Sequence, residues 1–363
     1  MTLIQQLKTI PDPRKRKGRK HPLWWILFLS LVGSLCNHWG YRPLANFSHR
    51  YRKQLCAVVG LPPDTPMPSY STFRRTFQQV EAQSWVDVFN TWTLRHLPKM
   101  AGRWFSIDGK GIKCTSIGGN GKDRDWVNLV SVYGQHDEGV VQLHLFHNKH
   151  GSEIEVAKQL VQRLPQELAQ TVTLDALHAQ TETVKTLGEL NVHYVIGLKT
   201  NQPTLYQSAE AVAAQTQPLS NATQSDSTHK RQVQRTVWVY AAPPALADKW
   251  HNLKTLIWVE RRGWRNGRFF HERHCYLSSA EFEAETFLNL IRGHWRIENG
   301  LHWVKDVTFQ EDYPPRIGGQ APLTWAILNT FCITIARRQG FRTVPDCQRE
   351  LANQVRRVFN LLV

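Results

Sequence analysis

The sequence predicts an α/β protein: a mixed sheet with flanking helices, an all-helical basic unit in front of it, and a β-rich insertion ahead of a late helix. Three observations carry this reading. Roughly the first 100 residues have apolar positions at helical spacing. From Gly102 onward the texture changes to short β-branched and aromatic runs parted by Gly, Asn and Asp. Strand-like and helix-like segments then alternate, as they do where parallel strands join a sheet through crossover helices.

In the first unit, residues 1–100, a basic run PRKRKGRKH precedes the apolar stretch PLWWILFLSLVGSLC. That stretch, Pro22 to Cys36, is shorter than the roughly 20 residues a membrane-spanning helix needs. No small-x-small cleavage site follows it, so a buried helix is expected. RPLANFSHRYRKQLCAVVG is a second helical stretch. A third, PSYSTFRRTFQQVEAQSWVDVFNTWTLRHL, has its start signal at Ser69 or Ser71 and carries Phe73, Phe77, Val80, Trp85, Val88, Phe89 and Trp92 near helical spacing.

In residues 101–204, RWFSIDG, NLVSVYGQ and VVQLHLFHNK are expected as three consecutive antiparallel strands, followed by a helix over SEIEVAKQLVQRLP. TVTLD, HAQTETVKTLGELN and VHYVIGLKTNQ then give strand, helix and strand. Residues 205–280 begin with a Gln-, Ser-, Thr- and Ala-rich segment to about 230, expected as an exposed connector. The strands RTVWVYAA, LKTLIWVERRG and RFFHERHCYLSS follow it. In residues 281–363, AEFEAETFLNLIRGHWRIENGLHWVKDV is helical with a break or bend near Gly293 and Gly300, and one or two helices close the chain.

A chain of 363 residues, 41% hydrophobic, can bury a full core. Its 45 Lys and Arg against 29 Asp and Glu give a formal charge of +16. Such a field attracts polyanions, because neutralising phosphates releases condensed counterions. Nucleic acid is therefore the first partner to consider. The six cysteines are spread singly with no C-x-x-C pair, which fits reduced thiols in a cytosolic protein.

The chemistry rests on three acids. Asp108 closes the first strand in SIDGK, and Asp175 closes the fourth in TLDALHAQ. Sites in open α/β sheets form at strand ends, where these two carboxylates can lie side by side and seat a hard divalent cation. Glu298, in HWRIENGLHWVKDVTFQED, is the acid on a crossing helix that would complete a two-metal site, with ions roughly 3.5 to 4 Å apart acting on a phosphodiester. Taken singly, an Asp after a strand is more often a turn or cap residue.

Other positions keep two readings. His178 is a core or helix-start histidine, or a group near the metals or scissile phosphate. Lys305 is a solvated cation, or a phosphate contact on the Glu298 side of the helix. Lys110 and Lys199 are weaker candidates of the same kind. His294, Trp295, His302 and Trp303 read first as helix packing, although one Trp could stack on a base. No Cys or acid falls at zinc-ligand spacing from these histidines. Arg14 and Arg16 in the basic run, with Arg74 and Arg75 in the same helical unit, suit a non-specific grip on DNA.

The phrases DPRKRKGRKHPL, PSYSTFRR, FSIDGKGIK, TLDALHAQ, YVIGLKTNQ and HWRIENGLHWVKDVTFQED together resemble the DDE transposases of bacterial insertion sequences, most nearly the H-repeat-associated, ISAs-type group. The likeness runs from about residue 7 to beyond 330. It implies an RNase H-like core with a β-rich insertion before the last catalytic helix. It also implies Asp108, Asp175 and Glu298 as catalytic metal ligands for Mg2+, with Mn2+ able to substitute.

The implied partner is double-stranded DNA, both terminal inverted repeats and target, bound by a homodimer or larger assembly in the cytoplasm at the nucleoid, with no membrane involved. The broader insertion-sequence group has a Y-x2-R-x3-E-x6-K signature. Lys305 matches its last position, but Ile291 and His294 stand where Tyr and Arg would be. Where H-G-R-x-E-x-R is expected, HKRQVQR puts Val233 at the acidic position. Two other readings stay open: a DNA-binding copy that represses without cutting, and a cellular RNase H-like nuclease acting on branched or RNA-containing duplex.

Overall fold

In a computed structural model, the described residues are 1–96, 103–118, 124–136, 139–165, 169–228, 231–313 and 317–363. The expected boundary at 100/101, the change of texture at Gly102, and His229 and Lys230 of the insertion lie outside the described residues.

Helices fill the start of the chain: α1 (Leu3–Leu7), a short 3-10 turn at Arg16–Gly18, α2 (Leu23–Leu35), α3 (Tyr41–Arg50), α4 (Arg52–Val59), α5 (Tyr70–Gln79) and α6 (Ala82–Arg95). The apolar stretch is α2, buried on nearly all sides. Among the described residues no helix is long and apolar enough to cross a membrane. Ser69 caps α5 as expected, but the third stretch is two helices rather than one. Glu81 leaves helical geometry and accepts hydrogen bonds from the Gln83 and Ser84 amides at 2.9 and 2.6 Å, starting α6 afresh. The second stretch divides likewise, at Tyr51.

The sheet begins with β1 (Arg103–Ile117), β2 (Asp125–Gly134) and β3 (Val140–His147), which pair antiparallel. Next come α7 (Glu153–Gln162), β4 (Ala169–Leu174), α8 (Thr181–Glu189) and β5 (His193–Leu198), with β4 parallel to β1 and β5 parallel to β4. This is the order the sequence predicts.

The connector expected at 205–230 is instead ordered structure: α9 (Pro203–Gln215), then β6 (Ser220–Thr228). Its polarity has a structural cause. β6 is the last strand of the sheet and meets solvent along one edge, where polar residues are the rule.

β7 (Arg231–Ala241), α10 (Pro244–Ala247), β8 (Thr255–Arg265) and β9 (Arg268–Ser278) complete the insertion, and β9 pairs antiparallel with β5. One nine-stranded sheet results, in the order β3-β2-β1-β4-β5-β9-β8-β7-β6.

Beyond it lie α11 (Ala284–Ile297), a π turn over Glu298–His302, α12 (Trp303–Val307), α13 (Ala321–Arg338), α14 (Val344–Glu350) and α15 (Val355–Leu362). Three closing helices therefore replace the one or two expected. The helix is not interrupted at Gly293, because that glycine answers a packing demand: a Cβ there would strike the Gln135 amide.

The core lies on both faces of the sheet. The N-terminal helices share one apolar cluster with α13, the two helices after it, and one face of β1–β3. Helices α7, α8 and α9 cover the opposite face. On α6, Asn90 pairs with the Leu143 backbone in both directions, at 2.9 and 2.8 Å, which covers the β3 edge.

Candidate active site

Strand register brings the first two acids together. Ser106 on β1 is paired with Thr173 on β4, and Asp108 and Asp175 each lie two residues further along parallel strands. Asp108 does not end its strand, since β1 runs on to Ile117 as a hairpin with β2. Only its pairing with β4 ends at Ser106, which frees that side of β1 at the level of Asp108. Asp175 follows the last residue of β4 and caps a 3-10 turn, its Oδ1 accepting from the Leu177 amide at 2.9 Å.

Glu298 is brought in by the helix. Beneath it, Gln135 donates to Ser106 Oγ at 3.0 Å and to Thr173 Oγ1 at 3.1 Å, and His294 Nδ1 meets the same Thr173 oxygen at 2.9 Å. The His294 bond ties α11 to β4, and Arg296, donating to the Gln135 carbonyl at 2.8 Å, ties the same helix to the residue that bridges β1 and β4. Burial lowers His294 to about 4, so at neutral pH its imidazole is uncharged. The position therefore does not supply the cation that an Arg would.

The regular α-helix ends at Ile297, and the chain enters the π turn at Glu298. Gly300 within it lies against Tyr133, whose Oη is 2.5 Å from where a Cβ would be. π turns of this kind recur at functional sites.

Asp108, Glu298 and His302 offer ligand atoms that all lie within 4.8 Å of one another. His302 Nδ1 is 3.4 Å from Asp108 Oδ2 and 3.2 Å from Glu298 Oε2. Two carboxylate oxygens and one imidazole nitrogen converging on one point form a donor set that suits a divalent cation. The expected trio was Asp108, Asp175 and Glu298. Asp175 is outside the tight group, though near enough for its charge to raise the Asp108 carboxyl.

Asp108 is pushed up to about 6, first by burial, against the opposing pull of His302, and further by the charges of Glu153 and Asp175. Glu298 is held below its ordinary value, chiefly by its hydrogen bond to His302 and also by the Lys110 ammonium.

Of two further residues at this site, Glu153 went unread in the sequence, and His302 was expected to be helix packing with no acid at ligand spacing, which Glu298 four residues earlier corrects. Glu153, the first residue of α7, lies over Gly109, where a Cβ would collide with its carboxylate. An acid in the first turn of a helix is common for reasons of the helix dipole, so nothing in the sequence singled it out. His302 is a buried neighbour of the acids rather than a packing residue. The signal available was its i, i+4 spacing from Glu298, which puts both side chains on one helix face.

The remaining candidates divide. His178 is fully buried, with Nε2 3.4 Å from Glu153 Oε1 and 4.0 Å from Asp175 Oδ1, so it faces the acids and not a DNA backbone. Lys305 is 1% exposed and its Nζ lies 3.4 Å from Glu311 Oε2 and 3.2 Å from the Ala326 carbonyl. Its ammonium points into the protein, which corrects the expectation of a phosphate contact.

Arg14 is likewise buried, bound to Asp12 at 2.8 and 2.7 Å and to the His21 carbonyl at 2.7 Å; it holds the basic run in shape instead of meeting DNA. Lys110 stands at the mouth of the acidic site, 2.5 Å from Asp306. Lys199, Arg16, Arg74 and Arg75 are exposed. Trp295 and Trp303 are about half exposed, so helix packing accounts for only part of each ring.

Comparison with known proteins adds two family matches. A transposase DDE domain model matches residues 101–329, and a model for the region associated with that domain matches residues 4–93. The chain is 26% identical over 323 residues to "Putative transposase YncI" of Escherichia coli O157:H7, covering 86% of this chain and 81% of that one. It is 24% identical over 324 residues to "H repeat-associated putative transposase YhhI" of Escherichia coli K12, covering 85% and 83%. An uncharacterized protein in the dhlA 3' region of Xanthobacter autotrophicus is 26% identical over 279 residues, covering 74% and 92%.

Proposed function

Because the chain belongs to the DDE-domain transposase family, we propose that it cuts DNA at the ends of an insertion sequence and joins those ends to target DNA, with Asp108, Asp175 and Glu298 as its catalytic acids. The observation that carries this reading is the convergence of Asp108, Glu298 and His302 within 4.8 Å, with Asp175 at the matching register of the neighbouring strand.

When bound, divalent cations, magnesium with manganese as a substitute, would activate the attacking water or 3'-hydroxyl and neutralise the leaving oxygen. Asp108 and Glu298 hold the charge that attracts them, and Asp175 adds a third carboxylate once its side chain turns from the Leu177 amide. His302 Nδ1 lies between the two carboxylates, hydrogen-bonded to Glu298 Oε2 at 3.2 Å and 3.4 Å from Asp108 Oδ2, and so positions them around the site. His178 orients Glu153, whose carboxylate lies against Gly109 next to Asp108.

In this reading residues 1–100 grip DNA through exposed Arg16, Arg74 and Arg75. Residues 101–204 and 281–363 make the catalytic core, residues 205–280 form the insertion, Lys110 and Lys199 flank the substrate, and the working assembly on DNA is a dimer or larger. The test is nicking of DNA that carries the element's terminal inverted repeats, with and without Mg2+. Metal-dependent nicking that is lost in Asp108→Asn and Glu298→Gln supports the assignment; undiminished nicking in either variant overturns it.

A further inference from the structure

A second cavity lies beside the acidic site. The face of β7, β8 and β9 and the side of α11 wall a cleft of about 690 Å3, and Glu298 lines both this cleft and the acidic pocket. Five arginines line it: Arg231, Arg235, Arg261, Arg265 and Arg292.

Their placement is costly to the fold. Arg231 is directly opposite Arg265 in the ladder, and Arg235 is directly opposite Arg261. Like charges facing each other across strands destabilise a sheet. Asp226 pairs with Arg235 and Arg292, and Glu272 with Arg261 at 3.4 Å. Of the acids, only Glu272 and Glu298 line the cleft among the described residues, so its wall stays basic. Arg261 Nε is buried with no hydrogen-bond partner. Val233, between Arg231 and Arg235 on β7, is buried and contributes no charge.

We propose that this cleft binds the phosphodiester backbone of a single DNA strand and leads it past Trp295 to Glu298. The inference rests on the reading of the chain as a DNA-cutting transposase. Arginine forks suit phosphate oxygens, which they can bind through two parallel hydrogen bonds. The cavity is of a size that encloses a small organic molecule, hence about one or two nucleotides of one strand and not a duplex. Trp295, 51% exposed, lines the same cleft and lies between Arg292 and Glu298 along the helix chain.

The test is fluorescence anisotropy with the full chain in EDTA, comparing a blunt duplex with the same duplex bearing a single-stranded oligo-dT tail. In the double variant Arg231→Gln/Arg265→Gln, the advantage of the tailed over the blunt DNA falls by about tenfold. The salt slope on tailed DNA becomes shallower by about 1.4, the value for two lost contacts to a single strand. Removing facing like charges leaves the thermal midpoint level or raised, so a loss of binding is not a loss of fold.

Running the tailed probes once with the element's terminal sequence and once with unrelated sequence separates a transposon strand from a target strand: both place a strand in the cleft. An unchanged tail advantage, or a lowered thermal midpoint, overturns the proposal. Nicking of terminal-repeat DNA by wild-type protein in Mg2+ is scored separately. Its absence sinks the transposase reading, whereas an unchanged tail advantage with nicking intact sinks the cleft alone.

Discussion

Replacing Asp108 by Asn would stabilise the metal-free protein while disabling the proposed site. Burial, with help from Glu153 and Asp175, raises this carboxyl from 3.8 to about 6 against the pull of His302. A raised folded value means that the folded chain binds the proton more tightly than the unfolded one. The contribution to stability is thus complete below 3.8 and lost as pH rises through about 6. At about 1.4 kcal/mol per pH unit, ionised Asp108 costs up to about 3 kcal/mol at about pH 8.

The side chain is 28% exposed, so solvent screening makes that figure a ceiling. Asparagine keeps the shape without the charge. In EDTA the variant is expected to exceed the parent in urea-denaturation stability by up to about 3 kcal/mol at about pH 8, and by about half as much at about pH 5. Added Mg2+ raises the parent and leaves the variant nearly unmoved, because ligand binding stabilises only the state that binds it. A gap that is the same at both pH values, or a variant less stable than its parent at each, would refute this account of Asp108.

Four further outcomes are expected. His302→Ala weakens Mn2+ binding by about tenfold or more, read by titration of the free-ion paramagnetic resonance signal; unaltered affinity argues that the imidazole is a bystander. Gly300→Ala drives a Cβ against Tyr133 and lowers stability by about 1 to 3 kcal/mol, with nicking reduced further than stability alone explains, as thermal unfolding and a nicking assay would reveal. Lys305→Met strands Glu311 in the interior and costs about 3 to 5 kcal/mol, yet leaves DNA affinity unchanged at a temperature where the variant is folded. Arg74→Gln/Arg75→Gln makes the salt dependence of duplex binding shallower by about 1.8, the value for two lost phosphate contacts.

Asp108 and Asp175 were legible as a pair because parallel pairing of their strands sets them at matching register, although Asp108 lies within β1 rather than at its end. Once TVTLD is a crossover partner of RWFSIDG, Asp175 must come near Asp108. Glu298 was legible from the phrase around it, but the π turn that carries it was not. An extra residue in a turn leaves no mark in hydrophobic spacing beyond an ordinary glycine.

Lys305 misled for a physical reason. A lysine on a basic, amphipathic segment normally reaches solvent, and only the fold reveals Glu311 and Asn329 waiting in the interior, with Asn329 donating to Glu311 at 2.6 Å. β6 misled for the opposite reason. A strand that borders solvent has little need of the apolar alternation by which strands are recognised.

The continuity of the sheet bears on any attempt to trim the protein. Cutting away the segment between β5 and α11 would strip β9 from β5 and leave Gly197 and its neighbours with unmatched amides and carbonyls. A naked, apolar border of that kind recruits strands from other molecules. A chain shortened this way is therefore expected to precipitate before it can be assayed, whereas the intact sheet ends on that side in the serine- and threonine-rich border of β6.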